Sequence, residues 1–213
     1  MQNYSDLNLA SQAFGNMIKL IDLLENKILV PRRSPEERRK NYQMAQLKKL
    51  QQYVKNGGGE GDLNLSDTEI TSLPDGLKKV GGSIYLSRSP ITSLPDNLQV
   101  GGALSLEKTS ITSLPKGLKV GSVLNLNNTP ITSLPDNLEV GGNLFLDGTP
   151  ITTLPNGLKV GGTIWALNSQ ITSLPNDLEV KGGLDLRYTP ISKKYSEEEI
   201  RQMVNVGGNI TLV

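Results

Sequence analysis

The stretch VGGNLFLDGTPITTLPNGLK, residues 140–159, decides the fold. Leu144 and Leu146 alternate with Phe145 and with the polar Asn143 and Asp147, the pattern of a strand buried on one face. Leu144 and Leu146 therefore point inward and Phe145 outward. Thr149 follows, and Ile151 and Leu154 supply further core. Pro155-Asn156-Gly157 is turn chemistry, because Pro fixes φ while Asn and Gly tolerate the left-handed region. Leu158 and Val160 return to the core, and Gly161-Gly162 turns the chain into the next strand.

The same unit recurs down most of the chain. Ile91, Ile111, Ile131, Ile151, Ile171 and Ile191 stand twenty residues apart, each followed by Thr or Ser. A period of this length means a stack of small coils, none of which can bury its apolar face alone. One strand per coil in register makes a parallel sheet of about eight strands along one side of a solenoid, and the Pro-rich return is too short for a full helix. The array opens at Asp62-Leu63-Asn64-Leu65 and closes at Asn209-Ile210-Thr211-Leu212. Its first unit carries one extra residue, Lys78 or Lys79, since Ile70 and Ile91 stand twenty-one apart.

Composition narrows the function classes. In 213 residues there are 22 Gly and 12 Pro, at fixed places in the repeat, so they mark turns and not low complexity. A net charge of +1 gives no whole-chain reason to expect nucleic acid or membrane as partner. With no Cys and no His, disulfides, thiolate metal sites, cysteine nucleophiles and the commonest general base are all excluded. No apolar run approaches membrane-spanning length, and the N-terminal MQNYSD lacks the basic and apolar regions of a signal peptide. Cytoplasmic residence is the default expectation, with virion association as the alternative.

The strand core LSLEKTSI, Leu104 to Ile111, resembles that of leucine-rich repeats, and the other units follow it. The resemblance spans residues 60–213. The x-L-P-x-x-L stretch is similar to the short class found in bacterial secreted effectors, and the V-G-G-x-L-x-L-x-x-T variant is closer to leucine-rich proteins of tailed bacteriophages and their hosts. It implies a leucine-rich-repeat solenoid with a parallel β-sheet on one side and extended or turn returns on the other, and it implies protein binding. The family's ladder Asn is replaced by Thr68, Ser89, Thr109, Thr129, Thr149, Ser169 and Thr189, so a weaker hydroxyl ladder is expected. The effector relatives often carry a ubiquitin-ligase domain with a Cys nucleophile, an activity that cannot be carried over to a chain without Cys.

An open solenoid exposes core at both ends, and both ends carry atypical sequence. Ser196 and Glu199 form a capping box, with Tyr195 and Ile200 placed as a hydrophobic staple; Ile200, Met203 and Val204 give the helix an apolar face. Residues 195–213 thus form a C-terminal cap of helix and closing strand, after repeats over 62–194. Residues 1–56 predict a helical hairpin. Leu7, Phe14, Met17, Ile18, Ile21, Leu24, Ile28 and Leu29 form the stripe of a first arm ending before Pro31. Asp22 and Glu25 favour packing of that arm on its partner over lying on a membrane. Ser34-Pro35-Glu36-Glu37 starts a second arm that runs to about Lys55. Residues 57–61 form a Gly-rich joint.

No active site emerges, and no cofactor or metal is expected. The V-G-G steps precede strands, so turn duty explains them better than phosphate binding. Glu107, Asp147 and Asp185 share the outer strand face without an acid/base environment. The outward columns of the concave sheet are the candidate partner-binding surface: Tyr85, Phe145, Trp165, Leu167 and Arg187, with Tyr188 beside them. Exposed aromatics next to an Arg are the makings of a hot spot. The competing reading is a register slip at Ala166, which stands where other coils have Leu and would let Leu167 turn inward. A second candidate patch is basic: Arg32, Arg33, Arg38, Arg39, Lys40, Lys48 and Lys49. It reads first as the solvated face of a capping helix, then as a site for an acidic protein, and last as a nucleic-acid site. The expected function is a non-catalytic protein-binding module of phage or bacterial origin. The alternative is a structural component of a larger assembly such as a virion, docked by the N-terminal helices.

Overall fold

The computed structural model describes residues 34–212. The chain divides into two compact units, residues 1–42 and 43–213. In the first, residues 34–42 are described. They include the start of helix α1 (Pro35–Lys55), where the Ser34 hydroxyl accepts the Glu37 N–H at 3.1 Å and the Glu37 carboxylate accepts the Ser34 N–H at 2.7 Å. That reciprocal pair is the expected capping box, with Pro35 at the first helical position. The first arm of the hairpin, from Leu7 to Leu29, and Arg32 and Arg33 lie outside the described residues.

The second unit is a parallel β-solenoid with two strands per coil. Strands β1 to β15 are numbered in chain order, and the odd ones form an eight-stranded sheet from β1 (Leu63–Asn64) through β9 (Leu144–Phe145) to β15 (Ile210–Thr211). All pairs are parallel and in register, so Leu63, Ile84, Leu104, Leu124, Leu144, Ile164, Leu184 and Ile210 make one buried column. A second column runs Leu65, Leu86, Leu106, Leu126, Leu146, Ala166 and Leu186, each 0 % exposed.

The expectation of one strand per coil is corrected here. The even strands form a second parallel sheet of seven, from β2 (Lys79–Val80) to β14 (Asn205–Val206). Each consists of a solvated residue followed by a valine, and the valines are buried except for the half-buried Val206. The glycine that follows every one of these valines except Val180, where Lys181 stands, reflects close approach. A Cβ at Gly101, Gly121, Gly141 or Gly161 would lie 2.1–2.2 Å from the carbonyl oxygen of the glycine one coil earlier, so a side chain there would require the backbone to shift.

A hydroxyl ladder between coils is likewise not what forms. Thr109 Oγ1 donates to the Leu106 carbonyl at 2.7 Å, and Thr68, Ser89, Thr129, Thr149 and Thr189 bond the same way within their own coils. The residue before each takes a left-handed φ, such as 55° at Lys108 and Asn128, which folds the hydroxyl back over the strand just left. Ser169 is the exception: its hydroxyl is buried without a partner.

Both ends are closed. The C-terminal half of α1 covers β1, with Leu50 and Tyr53 buried and Leu47 and Val54 against the core. Gln46 Oε1 accepts the Asn64 N–H at 3.2 Å and Gln43 donates to the Asp67 carbonyl at 2.9 Å, so polar groups at the edge strand are partnered by glutamines. Gly58 N–H to Tyr53 carbonyl and Gly57 N–H to Val54 carbonyl end the helix in a Schellman turn. Residues 57–61 are therefore not a joint. Gly59 pairs with Val80, and a Cβ there would meet the Tyr53 ring at 2.2 Å. The unit boundary falls inside α1, between Tyr42 and Gln43, because the later half of the helix belongs to the solenoid.

At the other end, helix α2 (Glu197–Met203) stands where other coils have the Leu-Pro turn, and β14 and β15 close the sheets. Its capping box is formed, Ile200 is fully buried, and Arg201 bonds Glu197 and the carbonyls of Val206 and Gly208.

Candidate functional site

Strand geometry fixes the outer face of the eight-stranded sheet. Residues that alternate with the core columns make two outward columns, one through Phe145, Trp165 and Asp185 and one through Asn127, Asp147, Leu167 and Arg187. Phe145 and Trp165 are paired in register, with ring centroids 6.3 Å apart and planes within 6°. Stacking along the sheet leaves both rings half-buried, so less of each ring meets solvent than the sequence suggests. The indole N–H of Trp165 is buried and unpartnered.

The register-slip reading fails. Ile164 pairs with Leu144, Ala166 is fully buried in the Leu column, and Leu167 sits half-buried on the outer face. Left-handed Asn168 (φ 57°) and buried Ser169 keep this coil on the common path.

Asp147 and Asp185 have structural tasks that neither spacing nor composition announced. The Asn127 side chain accepts the Asp147 N–H at 2.8 Å, and Asp147 in turn accepts the Leu167 N–H at 2.9 Å. Leu167 has no acceptor to continue the series. Asp185 takes over, accepting the Arg187 N–H at 3.1 Å and gripping its guanidinium through Nε and Nη2 at 2.6–3.0 Å. Burial raises the Asp147 carboxyl above its ordinary range, with the Asp185 charge adding to the rise; the Leu167 N–H and Arg187 oppose it. The Asp185 bond and charge hold the Arg187 guanidinium protonated more firmly still.

Of the residues expected to bind a partner, Phe145, Trp165, Leu167 and Arg187 fall on three successive coils, with Tyr188 beside Arg187 at 66 % exposed. Tyr85 does not join them, because Ser105 and Asn125 intervene in its column. On α1, Arg38, Arg39, Lys40 and Lys48 are exposed, with Lys40 paired to Glu36 at 3.3 Å. Lys49 belongs to the cap: its ammonium donates to the Asp62 carbonyl and lies 5.5 Å from the Tyr53 ring centroid.

Among the described residues no group of three or more carboxylates could hold a metal ion, and no helix is long and apolar enough to cross a membrane. No protein-family model matches the chain, and no curated protein is similar enough to count as a relative.

Proposed function

We propose that this chain is a non-catalytic protein-binding module that recognises its partner through the outer face of the eight-stranded sheet. The observation that carries the reading is the apolar strip of Phe145, Trp165 and Leu167. It interrupts columns filled elsewhere mostly by Asn, Ser, Asp and Thr, and the solenoid core does not need it. Arg187, already oriented by Asp185, and exposed Tyr188 border the strip, the composition of an interface hot spot. The finer assignment, a leucine-rich repeat of the short bacterial or bacteriophage type, rests on the resemblance of the x-L-P-x-x-L and V-G-G-x-L-x-L-x-x-T stretches.

The test compares capture by the immobilised wild-type chain with capture by Trp165→Ala and Leu167→Ala in host extracts. The proposal expects a protein retained in stoichiometric amount by wild type, with affinity falling by about 2 kcal/mol or more in Trp165→Ala. A partner retained equally by both variants but lost when Arg38, Arg39 and Lys40 are neutralised would refute it and move recognition to α1.

A further inference from the structure

The outer face of the seven-stranded sheet carries charges of alternating sign. Its solvated column reads Lys79, Gln99, Lys119, Glu139, Lys159, Glu179 and Asn205, one residue per coil. Neighbours in such a column stand about 4.8 Å apart. Lys159 Nζ lies 3.9 Å from Glu179 Oε2, with both side chains more than half exposed. Alongside runs an open groove of about 630 Å³ floored by the Val-Gly backbone from Val100 to Gly161. The glycine column leaves that floor bare, so the groove has room for side chains from another molecule.

We propose that this face pairs with the same face of a second copy of the chain. Two faces related by a two-fold axis can lie parallel or antiparallel. In the parallel arrangement every residue meets itself, so Lys119 faces Lys119 and Glu139 faces Glu139, which is repulsive throughout. In the antiparallel arrangement, a two-fold midway between Glu139 and Lys159 sets Glu139 against Lys159 and Lys119 against Glu179, each pair occurring twice. Gln99 then meets Asn205, two amides that can bond each other. Moving the axis one coil, between Lys119 and Glu139, makes as many opposite pairs, Lys119 with Glu139 and Lys79 with Glu179, but holds Lys159 against Gln99. In the first register the unmatched lysine is Lys79, which overhangs into solvent. The chosen axis also sets Lys181, which replaces glycine in the neighbouring column, over Gly121 of the second copy, where no side chain competes for the space. A partner of unrelated sequence has no reason to need the four charges Lys119, Glu139, Lys159 and Glu179 to be antisymmetric about their own midpoint.

The strip is about 25 Å long and roughly 10–15 Å wide, so it covers well under the roughly 800 Å² per partner of a standard interface, and the dimer is weak and held by charge. The experiment is sedimentation velocity of the full chain over a wide concentration range at about 0.02 M and 0.3 M salt. Wild type should approach twice its 23.1 kDa mass at low salt and revert to monomer at high salt. Glu139→Lys places Lys against Lys at both central contacts and should raise the dissociation constant at least about tenfold. The double swap Glu139→Lys with Lys159→Glu restores every intermolecular pair while spoiling the alternation within each chain, and should recover dimerisation. Monomer at every concentration overturns the proposal, as does growth beyond dimer, or a double swap no better than the single one. Trp165→Ala should leave the dimer intact; a dimer lost there and kept in Glu139→Lys would show that the copies meet through the other sheet.

Discussion

Leu146→Ala tests whether the coils stack as described. Leu146 is fully buried, with Leu126 one coil below and Ala166 one coil above in the same column. Removing three buried carbons costs about 2.7–5.0 kcal/mol, the larger figures belonging to sites that cannot collapse. Two successive alanines in one column leave a void that neither rigid backbone can close, so the upper half of that range applies. Leu106→Ala, flanked by Leu86 and Leu126, should cost less. Ala166→Leu in the Leu146→Ala background fills the void from the next coil and should recover a substantial part of the loss. In the wild-type background it adds three carbons to a filled core and should destabilise by about 1–3 kcal/mol. The cycle therefore predicts coupling of roughly 1 kcal/mol or more. The assay is urea unfolding followed by circular dichroism and by fluorescence of Trp165, the single tryptophan in the chain. Coincident curves establish the two-state behaviour that the energies require. A loss below about 2 kcal/mol for Leu146→Ala, or strict additivity with Ala166→Leu, refutes the stacking.

Three other outcomes are expected. Ser196→Ala removes the acceptor for the Glu199 N–H and should cost about 1 kcal/mol by urea midpoint; an unchanged midpoint means burial of Ile200 alone holds α2. Gly59→Ala drives a Cβ into the Tyr53 ring and should cost about 1–3 kcal/mol, with faster hydrogen exchange at the Gly81 amide that bonds the Gly59 carbonyl; unchanged exchange there would show that the ring does not pin this turn. Asp147→Asn concerns pH. Because burial raises the native carboxyl above its unfolded value, ionised Asp147 opposes folding at neutral pH, and that opposition fades as pH falls through the raised native value. Asn keeps an oxygen for the Leu167 N–H, so the variant should be more stable than wild type near pH 7, with the difference shrinking in acid; a variant less stable at pH 7 refutes the assignment of burial as the dominant cause.

The core columns were legible because the same residue type returns every twenty positions, and a strict period leaves one way to stack the coils. The second sheet was not. Its strands are two residues long like those of the first sheet, but there the in-out alternation continues from Asn143 to Asp147. Here a glycine follows the valine in most coils and no alternation extends past the strand. The direction of the Thr and Ser hydroxyls was equally hidden, since it depends on the left-handed residue before each one, and Arg88, Lys108 and Tyr188 do not advertise that conformation. The roles of Gln43 and Gln46 arise from a helix meeting an edge strand distant in sequence, which no local pattern encodes. The outer-face site was legible in its membership but not in its geometry. Trp165 and Phe145 are conspicuous in sequence, yet their stacking and the handover from Asp147 to Asp185 follow from what Leu167 lacks.

A repeat separates what the fold requires from what it merely tolerates. Most coils have inward Leu and Ile, a hydroxyl that folds back on its own strand, and a bare glycine beside the coil below; Ala166, Ser169 and Lys181 are the departures. With both ends closed by α1 and by α2 with its strands, backbone edges offer little for docking, and the proposed recognition uses the outward faces. The departures from the repeat on those faces are concentrated. Phe145, Trp165, Leu167, Asp185 and Arg187 fall on three adjacent coils of one sheet, and Lys181 on the neighbouring column of the other. The core does not need Phe145, Trp165 or Leu167. An exposed column of polar residues would serve the solenoid as well. The two faces also differ in kind. The first carries a localised apolar strip with an oriented guanidinium, suited to one specific partner, and the second a periodic charge column that is complementary to itself. On the two proposals, the second copy and the protein partner would meet different sheets and share no residues.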